Sequence, residues 1–88
     1  MTEAEFEAQR IAAGYGAARR VAFEPGSRSA PHVHDLDSLV YVVAGRFVLH
    51  TPEGEIRRGP GETCTLGAGV EHAEAAGPEG ATILVARR

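Results

Sequence analysis

Residues 26–45 read GSRSAPHVHDLDSLVYVVAG, and they place two histidines just before the most strand-like run of the chain. Side chains alternate between the two faces of an extended segment, so His32 and His34 point to the same side and their imidazoles can share one metal ion. A third histidine, His72, follows the turn-forming residues GAG and lies in another strand-like stretch. One closed sheet can therefore bring all three imidazoles together.

From residue 17 onwards, short runs of strand-forming residues alternate with turns that contain glycine and proline. The run SLVYVVA at 38–44 is apolar on both faces, which predicts a strand buried on both sides. We place Val40, Val42, Phe47 and Leu49 in the interior. The predicted strands cover residues 17–23, 28–34, 38–44, 46–51, 55–58, 63–66, 70–75 and 81–86, with a turn at 77–80. This density of short strands predicts an all-β barrel or jelly roll.

The first residues predict a helix instead. Thr2 and Glu5 have the capping-box form, a loose apolar stripe runs from Phe6 to Ala13, and GYG at 14–16 ends the helix. A helix this short must pack on the sheet or on a neighbouring subunit to be stable. We therefore predict a single domain over residues 1–88, with an N-terminal helix in 1–14 and a β-barrel in 17–87.

Composition limits the possible function classes. The chain has 88 residues, of which 43% are hydrophobic and 24% charged, as in an ordinary globular domain. Such a short chain buries only a modest core, so we expect a homodimer. The net charge of −3, without a long basic run, argues against nucleic acid as a partner. The acidic start MTEAEFEAQR and the lack of a long apolar run predict no membrane segment and a cytoplasmic location.

The chain contains no lysine and a single cysteine, Cys64. The first absence excludes a lysine Schiff base or a lysine general base. A lone cysteine excludes an internal disulfide and a zinc site built from several thiolates. Cys64 lies within a predicted strand, so we expect a small buried apolar residue there, or alternatively a soft contact near a pocket.

The spacing of the first histidine pair resembles the first motif of the cupin superfamily. Gly26, His32, His34 and Gly45 fall on the motif positions, and Ser38 stands where the motif has a glutamate. The resemblance identifies the chain as similar to small single-domain bacterial cupins. It implies a double-stranded β-helix, the jelly-roll barrel of that superfamily, with a short N-terminal helix.

The second cupin motif is matched in spacing and less fully in chemistry. Gly61, Gly69 and His72 fall on its positions, whereas Gly67 replaces the motif proline and Ala76 replaces its asparagine. Together the two motifs cover residues 26–76. The resemblance therefore implies a shared fold and a possible shared metal site.

The resemblance implies a divalent transition metal, namely Fe, Zn, Ni, Mn or Cu, held by His32, His34 and His72. Imidazoles suit these ions, and open coordination positions are typical of catalytic sites. Without a carboxylate at Ser38 the ion keeps its full double charge, which favours an anionic or chelating ligand. This ligand set is similar to that of the three-histidine iron centres in diketone-cleaving and thiol dioxygenases. The alternative is a degenerate site that binds metal poorly.

Three further residues are candidates to complete the metal site. Alternation from His34 places Asp35 and Asp37 on the opposite face, so a supporting or solvent-exposed role is expected for both. His50 alternates with the core residues of its strand and is expected to be exposed. Glu71 is expected to face away from the neighbouring His72.

Arg28, Arg46 and Tyr41 are candidates to orient an anionic ligand. Two functions follow from this set of residues. The first is a mononuclear metalloenzyme, dioxygenase-like, whose ion polarises a small substrate or activates dioxygen. The second is a non-catalytic module that binds or senses a metal or small molecule.

Overall fold

The computed structural model describes residues 1–88, which form one helix and five strands. In chain order these are α1 (Glu3–Ala12), β1 (Arg19–Phe23), β2 (Ser38–Thr51), β3 (Gly54–Arg58), β4 (Thr63–Leu66) and β5 (Ala73–Arg87). Every strand pairing is antiparallel. The predicted all-β jelly roll with a short N-terminal helix is confirmed.

The long strands β2 and β5 form the centre of the sheet. They pair with each other from Ser38 opposite Arg87 to His50 opposite Ala73. β1 pairs with the second half of β5, β4 with the first half of β2, and β3 with the second half of β2. The short strands thus extend a sheet whose curvature the central pair sets.

The structure has fewer and longer strands than the sequence predicted. β2 contains both predicted strands 38–44 and 46–51, and β5 continues through residues 77–80, where a turn was expected. The two strands bend together, because their register shifts between Val42 and Ala44 and again between Gly45 and Phe47. The glycines at these positions bend the paired strands and do not reverse the chain.

The predicted strand over residues 28–34 is also wrong. This segment forms only two isolated bridges, Arg28 with Ala75 and His32 with His72. Pro31 has no backbone N–H to donate, so a continuous ladder cannot pass through it. The segment nevertheless runs antiparallel beside the start of β5, and this position matters for the site.

The core has two layers, one on each face of β2. Val40, Val42, Phe47 and Leu49 lie in the interior layer, as predicted. Leu39, Tyr41 and the fully buried Phe6 of α1 form the outer layer with Leu84 and Ala86. The expectation that β2 is buried on both sides is confirmed, and the helix covers its outer face.

The helix begins as the sequence predicted. Thr2 caps it, with the hydroxyl of Thr2 accepting from the backbone N–H of Glu5 and the Glu5 carboxylate accepting from the backbone N–H of Thr2. The ring of Phe6 stacks on Tyr41 with 5.4 Å between centroids. No helix in the structure is long and apolar enough to cross a membrane.

The close approach of β2 and β5 requires glycine at position 45. Gly45 has φ +77°, and a Cβ atom added there would lie 2.1 Å from the carbonyl oxygen of Gly80. We expect Gly45→Ala to lower the free energy of unfolding by more than about 3 kcal/mol, because backbone strain and a steric clash act together. Denaturant unfolding measures this change.

Gly14→Ala is the matched control for this substitution. Gly14 has nearly the same φ, +80°, but no atom lies within 4 Å of an added Cβ. Its replacement should therefore cost only the conformational term of about 1 kcal/mol. Equal losses in the two variants would show that the contact with Gly80 is not what demands glycine.

Candidate metal centre

The three predicted histidines lie together at one end of the sheet. His32 and His34 come from the segment before β2, and His72 comes just before β5. The backbones of His32 and His72 exchange two hydrogen bonds of 2.9 Å. The ring centroids are 4.5 Å apart for His32 and His72, 5.1 Å for His32 and His34, and 5.0 Å for His34 and His72.

Backbone carbonyls orient two of the three rings. The Nδ1 atom of His32 donates to the carbonyl of Ala30 over 2.8 Å, and Nδ1 of His72 donates to the carbonyl of Val70 over 3.0 Å. Each ring uses a carbonyl two residues earlier in the chain. A hydrogen bond at one ring nitrogen fixes the tautomer and leaves the other nitrogen, here Nε2, available to a ligand or ion.

A carboxylate also belongs to this group. The Oε1 atom of Glu74 lies 2.8 Å from Nε2 of His32 and 3.5 Å from Nε2 of His72. One ligand atom from each of His32, His34, His72 and Glu74 lies within 4.8 Å of the other three. The sequence prediction of a site without an acidic group therefore needs correction.

The sequence did contain a signal for Glu74. It lies two residues after His72, and residues two apart on an extended segment share a face. The same rule that paired His32 with His34 pairs His72 with Glu74. The cupin motif predicts a carboxylate at position 38, in β2, whereas the carboxylate of this site comes from β5.

The surroundings change the pKa values of two histidines in opposite directions. The pKa of His32 is raised, chiefly by the hydrogen bond to the Ala30 carbonyl and further by the Glu74 carboxylate, although partial burial opposes this. The pKa of His34 is lowered, first by burial and then by the positive charge of Arg87. Without an ion, these contacts favour the protonated form of His32 beside Glu74 and the neutral form of His34.

Arg87, near the end of β5, reaches the same group. Its Nε donates to the hydroxyl of Ser38 over 3.2 Å, and its Nη2 donates to Nε2 of His34 over 3.4 Å. Arg87 and Ser38 are direct neighbours across β5 and β2. Ser38 is buried, with 3% of its surface exposed. A guanidinium therefore adjoins the position where the first cupin motif, by spacing, has a glutamate.

His34 and His72 border a cavity of about 180 Å³ inside the rolled sheet. Its polar border contains His34, His72, Glu74, Ser38 and Arg87, together with Arg19 of β1. Its remaining walls are the apolar side chains Val21, Phe23, Val40, Phe47, Leu49, Leu66, Ile83 and Val85. The predicted picture of a small apolar pocket next to a histidine cluster matches this geometry.

The other acidic and histidine candidates lie outside the group of four ligands. Asp35 and Glu71 are exposed, in line with their predicted outward orientation. Asp37 accepts a hydrogen bond from the backbone N–H of Ala68 over 2.8 Å, so it fastens the loop before β2 to the turn before His72. His50 lies 3.3 Å from Glu55 at the far end of β2.

The arginines and the tyrosine proposed to orient a ligand do not line the cavity. Tyr41 lies in the outer layer, where its hydroxyl donates to the carbonyl of Met1 over 3.2 Å. Arg28 and Arg46 are exposed. Arg19 and Arg87 line the cavity instead, because Arg19 lies opposite Val85 and Arg87 follows two residues later on the same face of β5.

Cys64 is buried in the interior layer, as predicted, and is absent from the cavity wall. Burial raises the pKa of its thiol to about 11. The thiolate is the reactive and metal-binding form of cysteine, so Cys64 is neither a ligand nor a nucleophile at neutral pH. Its role is packing.

The donor set fits a transition metal ion. Three imidazole nitrogens and one carboxylate oxygen suit Fe, Zn, Ni, Mn and Cu. Metal bonds of about 2.1 Å place ligand atoms at most about 4.2 Å apart, so the group needs only a small contraction from its present spread. The fixed Nδ1 hydrogen bonds of His32 and His72 supply the orientation that such ligands require.

Comparison with known families agrees with the fold and with this geometry. The family model described as "Cupin domain" matches residues 19–86. Because the match covers most of the chain, the protein belongs to the cupin family. Comparison with curated proteins gives no match.

Three solved structures illustrate the similarity. A cupin-2 domain containing protein from Shewanella frigidimarina is 26% identical, with a TM-score of 0.70 over 81% of this chain and 69% of the other. KdgF from Halomonas sp. is 28% identical, with a TM-score of 0.66 over 80% of this chain and 66% of the other. A chain from the structures of the DMSP lyases RdDddP and RnDddQII is 27% identical, with a TM-score of 0.72 over 78% and 36%. The chain thus spans about two thirds of the first two and about a third of the lyase chain.

The two histidine pKa shifts give a direct test of the geometry. In metal-free protein we expect His32 to titrate at a higher pH than His34, because the Ala30 carbonyl and Glu74 raise the pKa of His32 while burial and Arg87 lower that of His34. Glu74→Gln should lower the pKa of His32. NMR titration of the ring signals measures both values, and Glu71→Gln, at an exposed position, is the control.

The same contact predicts how stability depends on pH. The folded pKa of His32 lies above its unfolded value, so its ion pair stabilises metal-free protein below the unfolded pKa. This contribution disappears as the pH rises through the folded pKa. Glu74→Gln should therefore destabilise metal-free protein more at acid than at alkaline pH. A loss that does not vary with pH would contradict the ion pair.

Proposed function

We propose that this cupin binds one divalent transition metal ion through His32, His34, His72 and Glu74. The observation that carries the proposal is the convergence of four ligand atoms within 4.8 Å. Nε2 of His32 and Nε2 of His72 both face the Glu74 carboxylate, and Nε2 of His34 lies beside Arg87 at the edge of the group. The position beside the cavity leaves room for a small molecule next to the ion.

Glu74 changes the net charge that the sequence predicted for the metal site. With three neutral imidazoles and one carboxylate, a bound divalent ion has a net charge of +1, not +2. A metal ion binds neutral imidazole, and the pKa of His32 is raised, so metal binding competes with protonation of His32 and weakens at acid pH. The 2.8 Å contact between the two side chains contributes to this raised pKa.

We further propose that the loaded site acts on a small anionic or chelating substrate. A bound ion would supply Lewis-acid polarisation of a substrate oxygen. The chain supplies apolar walls that exclude water and cationic groups that attract an anion. The similarity to a structure named as DMSP lyases supports a small-molecule enzyme. The dioxygenase-like activity stays a prediction, and its comparison with three-histidine centres does not include the Glu74 carboxylate.

A non-catalytic binding module is the second candidate, and one observation favours it. The guanidinium of Arg87 lies 3.4 Å from Nε2 of His34, where its positive charge opposes a metal ion. In addition, no buried polar side-chain atom in the metal-free site lacks a hydrogen-bond partner. A site that is complete without an ion can also hold a small anion alone.

The single domain over residues 1–88, the homodimer and the cytoplasmic location stay predictions. Packing of Phe6 against β2 supports a helix and barrel that form one unit. The small core of so short a chain supports a dimer. Light scattering coupled to size-exclusion chromatography measures the oligomeric state directly.

The histidine pair provides the first test of metal binding. His32→Ala combined with His34→Ala removes two of the four ligands, so we expect bound metal to fall from near one equivalent to background. Elemental analysis of protein purified without chelators measures this. Both residues are half-buried and lie outside the strands, so the fold should survive, as judged by circular dichroism.

His50→Ala is the matched control, because His50 lies outside the ligand group. It should retain the metal content of the unchanged protein. Retention of metal by the double variant, or background metal in the unchanged protein after incubation with zinc and iron salts, would contradict the proposed centre.

Glu74 provides the second test. We expect Glu74→Gln to weaken metal binding by about 10- to 100-fold, because a neutral amide replaces an anionic ligand that also contacts His32. Competition with a chromophoric chelator measures the affinity, and Glu71→Gln is the control. If both variants bind metal equally well, the centre contains the histidines without the carboxylate.

A further inference from the structure

We infer that Arg87, assisted by Arg19, anchors the carboxylate group of a short-chain carboxylic acid whose apolar part occupies the cavity. The inference rests on the proposed function, since it names the substrate class of the same cavity. It depends on two arginines that no sequence motif identified. Their placement, the apolar walls and the size of the cavity each support it independently.

Arg87 lacks an acidic partner. Its guanidinium contacts only the hydroxyl of Ser38 and Nε2 of His34, both neutral acceptors, and it forms none of the ion pairs of the molecule. Those bonds use Nε and Nη2 and leave Nη1 without a partner. A partly buried cation is stabilised by an anion, and a guanidinium pairs with a carboxylate through two parallel hydrogen bonds. An anionic ligand would complete this contact.

Arg19 adds a second cation on the same side of the cavity. It begins β1 opposite Val85 of β5, and Val85 and Arg87 share a face of that strand. Arg19 is exposed and has no acidic partner either. Four of the other arginines, Arg10, Arg20, Arg57 and Arg88, pair with acidic side chains. Arg28, Arg46 and Arg58 also lack acidic partners, but of the unpaired arginines only Arg19 and Arg87 line the cavity.

The size of the cavity limits the ligand. A volume of about 180 Å³ accommodates a small ligand of several non-hydrogen atoms. Eight of its fourteen lining residues are hydrophobic, including Phe47, Leu49 and Ile83. A four-carbon carboxylate has six non-hydrogen atoms and combines one anionic end with an apolar chain. It matches the cavity in both size and polarity.

Glu74 favours a carboxylate over a phosphate. Its own carboxylate borders the same cavity, so a ligand with two negative charges is repelled more strongly than a ligand with one. A planar carboxylate also matches the guanidinium fork of Arg87 in geometry. We therefore infer that the ligand is a singly charged carboxylate.

The test titrates full-length, metal-free protein with butanoate, butanamide and inorganic phosphate, followed by NMR of the backbone and histidine rings. Butanamide has the same shape as butanoate without the charge. We expect butanoate to bind at least about tenfold more tightly than butanamide and more tightly than phosphate. The NMR signals that move on butanoate binding should belong mainly to residues of the cavity wall. Equal binding of butanoate and butanamide, tighter binding of phosphate, or no binding of butanoate would overturn the inference.

Variants then identify the anchor. Arg87→Gln should weaken butanoate binding by about tenfold or more, and Arg87→Lys should fall between, since it keeps the charge and loses the fork. Arg46→Gln, at an exposed position away from the cavity, is the control and should bind as the unchanged protein does. An unchanged affinity in Arg87→Gln would overturn the role of Arg87. If that variant does not fold, Arg19→Gln and the ligand series on the unchanged protein decide the question.

Metal content measured on separate samples, after incubation with zinc and iron salts, separates this inference from the proposed function. Butanoate binding that depends on Arg87 in a chain that retains no metal would support the anion site and contradict the metal centre. Metal binding without a preference for butanoate over butanamide would support the metal centre and contradict the anion site.

Discussion

The pairing of β2 with β5 is the interaction on which the rest of the structure depends. It runs from Ser38 opposite Arg87 to His50 opposite Ala73, and two register shifts bend both strands on the way. The bend closes the small sheet around its interior layer. It also brings the beginning of β5, with Glu74, beside the segment that contains His32. A short chain can thus enclose a cavity because two long strands do most of the pairing.

The site contains an anionic and a cationic side chain close to the same histidines. Glu74 provides a carboxylate from β5, and Arg87 of the same strand provides a cation next to Ser38. They contribute to the opposite pKa shifts of His32 and His34: the Ala30 carbonyl and then Glu74 raise the pKa of His32, and burial and then Arg87 lower that of His34. The same arrangement lets the site attract an anionic ligand at one end while it keeps an acidic metal ligand at the other.

Local patterns in the sequence were enough to predict several features. Thr2 and Glu5 specify the start of α1, because a helix cap depends only on residues three apart. Alternation placed Val40 and Val42 inside and paired His32 with His34. The same rule places His72 and Glu74 on one face, so alternation also contained the signal for the carboxylate. The predicted turn at 77–80 is wrong because β5 continues through these residues, which have no partner in β2 and lie at the register shift between Gly45 and Phe47.

The sequence by itself determined the fold class, the helix cap, the interior faces of the strands and the three histidines, because each depends on residue type and short-range periodicity. The tertiary structure alone decided which charged residues surround those histidines. Arg87 and Ser38 lie 49 residues apart in the sequence, and only the register of β2 with β5 makes them neighbours. Arg19 reaches the cavity through its pairing with β5 for the same reason. Contacts between distant strands follow from register, which local sequence patterns do not encode.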